Sequence, residues 1–209
     1  MKLFYAPGAC SLAPHILLEE IGRPFEAVRL DFAAGEQRTA DYLALDPRGR
    51  VPLLVTAHGP LRENVAISAY IAGLEPGLGL LPQDEWARAQ VLAAFVWMSG
   101  TVHGQAFASW FRAARFTDDP AAQETVKAKG RADALAHLAE LEAMLQDKTW
   151  FVGDQFTIAD PMFLVLRRWA IRIGLDVSPF AALAAHSQRL AERPSTMRAM
   201  AREGIRFDA

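Results

Sequence analysis

The chain's single cysteine lies in Tyr5-Ala6-Pro7-Gly8-Ala9-Cys10-Ser11, where a short apolar strand turns into a helix. The first N–H groups of a helix lack intrahelical partners and carry partial positive charge, so a thiolate placed there is stabilised and its pKa falls. A sulfur brought in by a ligand would be stabilised in the same way. The competing reading is a small buried apolar side chain, and position alone does not separate the two. With one cysteine, a dithiol cycle in this site and an intrachain disulfide are both excluded. The neighbouring Ser11 either caps the helix or donates to a bound sulfur.

Three further places carry chemistry. Val51-Pro52 opens a strand, where a residue without a donor N–H is tolerated. A cis bond there would turn the Val51 N–H and C=O outward toward a peptide-like ligand, although X–Pro bonds are usually trans. Glu63-Asn64 stands where a strand gives way to a helix. Asn64 suits an N-cap, Glu63 could hold an ammonium, and a helix start receives carboxylates, a set that fits an amino acid's charged end. Capping by Asn64 needs no ligand. His103 shares an apolar helix with Phe107, Trp110 and Phe111, as a packing residue or as an imidazole that stabilises a nearby thiolate. His15, His58, His137 and His186 have no companions at ligand spacing, so no metal site is expected.

The elements that position these residues follow from periodicity. Lys2–Tyr5 reads as a strand, Ser11–Ile21 as a helix with one buried face formed by Ala13, Ile16, Leu17 and Ile21, and Phe25–Leu30 as a second strand. A polar stretch, Asp31–Arg50, holds a short amphipathic piece at Tyr42–Leu45. Val51–Val55 is a third strand, His58-Gly59-Pro60 a turn, Leu61-Arg62 the start of a fourth strand, and Asn64–Gly73 a helix. This β-α-β-(α)-β-β-α order predicts a thioredoxin-type sheet with a parallel pair and antiparallel edges.

Gly- and Pro-rich Leu74–Asp84 reads as a linker, and only helical patterns follow: Glu85 to about Arg115 as one helix or two, Ala121 to about Gln146 with Leu135, Leu138, Leu141 and Leu145 inward, Thr157–Ile173, Pro179–Ala191 and Pro194–Glu203. Thr157-Ile158-Ala159-Asp160 has capping-box spacing, a folding signal with no catalytic role. The expected architecture is an α/β domain over 1–75, a linker over 76–85 and an all-α helical bundle domain over 86–209.

Composition narrows the function classes. With 22 Lys+Arg against 24 Asp+Glu the formal charge is −2, which argues against a nucleic-acid partner. No apolar run is long enough to span a bilayer, and the N-terminus lacks the h-region of a signal peptide. A soluble cytoplasmic protein that associates with neither membrane nor nucleic acid is the expectation.

Four segments in register resemble the glutathione S-transferase family, its bacterial beta class in particular: Tyr5 to His15, Gly49-Arg50-Val51-Pro52, Glu63-Asn64-Val65-Ala66-Ile67 and Phe156 to Asp160. The resemblance covers essentially the whole chain. It implies a homodimeric detoxification enzyme that joins the thiolate of glutathione, its co-substrate, to an electrophilic small molecule held against the helical domain. By the same resemblance, Val51-Pro52 is the cis pair that binds the cysteinyl backbone, Glu63 and Asn64 hold the γ-glutamyl end, and Cys10 and His103 flank the glutathione sulfur. Tyr5 and Ser11 belong to the substrate site. Phe107 and Trp110, with Met98, Phe111 and Trp169, are lining candidates for the second substrate. Where the class carries lysines, this chain has Gly35-Glu36-Gln37-Arg38, so Gln37 or Arg38 takes their place. Val96 stands where the class can present an asparagine across the dimer. Two alternatives accompany this reading: thiol transfer or disulfide reduction through Cys10, and a binding protein without turnover.

Overall fold

The computed structural model describes residues 1–152 and 154–207. Gly153, just before the capping-box sequence, and the last two residues of the expected helical domain lie outside the described residues.

The chain begins β1 (Lys2–Tyr5), α1 (Leu12–Ile21), β2 (Glu26–Arg29), α2 (Ala40–Leu45), β3 (Leu53–Thr56), β4 (Gly59–Arg62) and α3 (Asn64–Leu74). The sheet order is β2-β1-β3-β4, with β1 and β2 parallel and the other pairs antiparallel. A parallel neighbour requires a crossover, and α1 supplies it, giving the thioredoxin-like arrangement the pattern predicts. β4 begins at Gly59, earlier than expected, and takes in Pro60 opposite Val55. It is an edge strand, so the missing proline N–H breaks no ladder.

α1 departs from the one-faced helix its pattern predicts. Nine of its ten residues are buried, among them His15 and Glu19. The reason is packing on several sides: α3, α7 and α9 all contact it. Glu19 tolerates burial because its carboxylate meets Arg198 at 2.7 Å and Arg202 at 3.0 Å.

The helical part continues as α4 (Glu85–Trp97), a π-helical stretch (Met98–Phe107), α5 (Ala108–Phe111), α6 (Pro120–Leu145), α7 (Asp160–Arg172), α8 (Ala181–Ala191) and α9 (Pro194–Glu203). Thus the expected single or double helix over 85–115 is a rod to Phe111 whose middle is wound wide, with His103 in the widened stretch. Such winding is rare and concentrates at functional sites. In α6 the buried stripe is Gly130, Ala134, Leu138, Leu141 and Leu145, while Leu135 is 43% exposed. Leu135 follows Ala134 by one residue and so points about 100° away from the stripe. Gly130 is the crossing point: a Cβ there would stand 2.6 Å from the Ala106 carbonyl oxygen.

α7 starts at Asp160 and not at Thr157. The Asp160 carboxylate accepts from the Thr157 N–H and hydroxyl, both at 2.7 Å, and from the Phe151 N–H at 3.0 Å. The acid therefore gathers donors from the preceding loop, and the threonine does not cap the helix. One continuous core runs from Leu3 and α1 through Phe95, Phe107 and Phe163 to Met200.

Candidate functional site

Two cavities meet where the carboxyl ends of β1, β2 and β4 and the amino end of β3 face the π-helical stretch. One, about 430 Å³, is lined by Cys10, Val51, Pro52, Glu63 and Asn64 together with Arg48, Arg50, Arg62 and Arg115. The other, about 400 Å³, lies between the β1–α1 loop, the loop after β2, and Phe107, Phe111 and Arg172. Ala9, His103, Ala108, Arg112 and Trp169 line both.

The loop between β1 and α1 fixes the sulfur. Cys10 is buried, and its thiol donates to the Val51 carbonyl oxygen at 3.6 Å. The Val51-Pro52 bond is cis. Burial pushes the Cys10 pKa up to about 12, against the lowering effects of Arg112 and a backbone hydrogen bond. Burial therefore opposes the thiolate that a helix start favours, and Cys10 stands ahead of α1, whose N-cap position is Ser11. Ser11 does not cap α1 through its side chain. Its hydroxyl turns back to donate to the Ala6 carbonyl at 3.3 Å and to accept from the Ala6 N–H, so it closes the loop.

Glu63 and Asn64 exchange the positions their residue types suggest. Glu63 occupies the N-cap position of α3 in the left-handed φ range, at +69°, and its side chain is 67% exposed against Arg48 at 2.6 Å. A non-glycine residue held there is strained, and such strain gathers at binding sites. Asn64 is the first helical residue. Its amide donates to the Cys10 carbonyl at 2.9 Å, while its buried Oδ1 has no partner among the described residues.

On the shared wall, His103 packs edge-on to Trp169 with centroids 4.8 Å apart, and the Trp169 indole N–H donates to the Gly8 carbonyl at 2.8 Å. Burial, then Arg112, Arg115 and Arg50, lower the His103 pKa to about 4. The imidazole is therefore neutral near pH 7, and of the two states the sequence leaves open only the neutral one is populated. Phe107 is fully buried and reaches the second cavity beside Trp169 and Phe111.

Other expected residues lie elsewhere. The Tyr5 hydroxyl donates to the Arg202 carbonyl at 3.2 Å, on the α9 side. Trp110 lies beneath Arg131 of α6, and Met98 is fully buried in the core. Gln37 lines neither cavity. Its backbone carbonyl backs the Gly49 turn, where a Cβ would stand 2.6 Å from that oxygen at φ +61°.

Sequence reasoning misses the arginines. Arg112 lines both cavities, yet among the described residues its side chain makes no hydrogen bond or ion pair, and the same holds for Arg50 and Arg115. Steps of four and five from His103 lead through Phe107 or Ala108 to Arg112, so the helical stripe that singles out Phe107 extends to it.

Comparison with known proteins gives a consistent result. The glutathione S-transferase N-terminal domain matches residues 1–73, and the C-terminal domain matches residues 93–194. Glutathione S-transferase GstA of Escherichia coli O157:H7 is 36% identical, over 99% of this chain and 100% of that protein. A bacterial beta-class glutathione S-transferase from Sphingomonas chungbukensis superposes with a TM-score of 0.87 at 35% identity, covering 99% of this chain and 100% of the other. A sphingomonad glutathione S-transferase complexed with glutathione gives 0.87 at 36% identity, with the same coverage.

Proposed function

The chain belongs to the glutathione S-transferase family, bacterial beta class, and from that premise we propose that it joins the glutathione thiolate to electrophilic, mostly apolar small molecules. The observation that carries this reading is the pair of cavities with one shared wall. Glutathione occupies the first, in the unit formed by residues 1–75. Glu63 receives its α-ammonium, the start of α3 its α-carboxylate, and the Val51 backbone its cysteinyl unit. Its sulfur then lies over Cys10 beside Arg112, where the guanidinium favours the thiolate. The electrophile enters the second cavity, against Phe107, Phe111 and Trp169 of the helical unit over 86–209. Neutral His103 holds or orients the sulfur by a hydrogen bond and contributes no charge of its own.

Burial of the protonated Cys10 thiol supports glutathione, and not Cys10, as the nucleophile. Cys10→Ala is expected to keep kcat/KM for an aryl halide within about threefold of the parent protein, since the reacting sulfur belongs to the substrate. Complete loss of conjugation with glutathione affinity intact would contradict this division of roles. Thiol transfer through Cys10 is the second reading, favoured by the position of Cys10 in the glutathione cavity. On that reading Cys10→Ser abolishes reduction of a glutathione mixed disulfide, and reduction that survives the change removes it.

The protein is further proposed to work as a cytoplasmic homodimer. Among the described residues no helix is long and apolar enough to cross a membrane. Trp86 and Val96 of α4 and Leu135 of α6 are 72%, 56% and 43% exposed, apolar surface that a second copy would cover. Sedimentation at twice the 23.0 kDa chain mass is expected, and a monomer at micromolar concentration would refute the dimer.

A further inference from the structure

The second cavity combines aromatic and other apolar side chains with three arginines. Phe107, Phe111 and Trp169 form its aromatic wall, and Arg29, Arg112 and Arg172 add three guanidinium groups to the loop residues that line the rest. Its one lining carboxylate, Asp31, is exposed, and one of its oxygens accepts from the Ala33 N–H at 2.8 Å and from the Ala34 N–H at 3.1 Å, so three guanidinium groups face one acid. Among the described residues none of the three arginines makes an ion pair or a side-chain hydrogen bond. Arg172 only lies against the Phe111 ring, at 5.7 Å from its centroid.

Arg48 and Arg62 in the first cavity pair with Glu63 and Asp46, and most other arginines are matched as well. Arg23 pairs with Glu75, Arg193 with Glu20, and Arg198 and Arg202 with Glu19. Arg131 donates to the Ile173 and Gly174 carbonyls. Partly buried charge is normally matched, because withdrawing it from water without a partner is costly. Of the three cavity arginines, Arg29 and Arg172 are exposed and Arg112 is partly buried, and burial and the nearby Arg50 and Arg38 depress the Arg112 pKa. A planar guanidinium matches a carboxylate or sulfonate through two parallel N–H donors, and lies over an aromatic face as readily.

We propose that this cavity selects anionic aromatic electrophiles, in which an arene stacked on the Phe107–Phe111–Trp169 wall carries a carboxylate or sulfonate held by Arg112 and Arg172, with Arg29 at the rim. The inference rests on the transferase reading for the reaction but not for the binding preference. Arg172 lines the second cavity and not the first, so it reports on the electrophile alone.

The test compares 4-chloro-3-nitrobenzoate with 4-chloro-3-nitrobenzamide, equal in shape and different in charge. Their binding is measured by calorimetry on the full chain, with and without S-methylglutathione, which fills the first cavity and cannot react. The carboxylate is expected to bind about tenfold tighter than the amide, as charge-assisted hydrogen bonds of ordinary strength allow. Arg172→Gln and Arg112→Gln are each expected to reduce that ratio to about threefold or less, and added salt to lower it in the parent protein. An amide that binds as tightly as the benzoate, or a ratio unchanged in both variants, overturns the proposal. A preserved carboxylate preference with no conjugation of either arene supports this selectivity and counts against the transferase reading instead.

Discussion

The α1–α9 contact and the cleft treat charge in opposite ways. At the contact, Glu203 is fully buried and accepts from the Gly8 N–H at 2.8 Å through one oxygen, while the other lies 2.8 Å from His15 Nδ1. Glu20 is closed by Arg193 and Ser195. In the cleft, Glu63 and Asp46 pair with Arg48 and Arg62, while among the described residues Arg50, Arg112 and Arg115 form no ion pair, and His103 is kept neutral beside them. Closed networks hold the framework, whereas open charge is what a ligand can complete. The two regions touch, since Glu203 anchors Gly8, which lines the second cavity.

This contrast is sharpest in stability. Glu203→Ala removes the acceptor for two buried donors and is expected to cost about 3 kcal/mol in urea unfolding. Arg112→Gln leaves no buried partner behind and is expected to cost less than about 1 kcal/mol. Equal losses would erase the distinction between closed and open charge.

A smaller effect separates the regions by pH. The unfolded chain takes up a proton at His103 near its ordinary value of 6.5, while the folded imidazole refuses it until about 4. The unfolded state therefore binds more protons in that window, and stability falls as pH drops from 6.5 toward 4. His103→Asn is expected to reduce the difference between urea midpoints at about pH 7 and about pH 5. An identical difference would mean that the imidazole titrates freely.

Much of this site is legible from local signals. Cys10, Val51-Pro52 and Glu63-Asn64 each sit at a junction between elements, marked by proline, glycine or a capping residue, and all of them line one cavity. Orientation is less legible. Tyr5 and Trp110 belong to the right elements yet face α9 and α6, because which side of a strand or helix meets the cleft depends on partners distant in sequence. Ser11 turns inward to close its own loop, which residue type alone cannot distinguish from capping. Glu19 reads as a solvent residue because its arginines lie about 180 positions later, on α9. Arg112 escapes notice for a related reason: an arginine after an aromatic run looks like an ordinary helix end until the fold brings it beside Cys10, where among the described residues it forms no ion pair.

The identity of the nucleophile can be read from the ultraviolet absorbance of bound thiolate, titrated against pH. Cys10→Ala removes the protein's only thiol, so any thiolate signal then belongs to glutathione. Bound glutathione in that variant is expected to ionise at least about one unit below the free-thiol value of about 8.5, and Arg112→Gln in the same background to move it back upward. Ionisation at or above the free value in Cys10→Ala, with glutathione still bound, would contradict a thiolate that this cleft stabilises without Cys10.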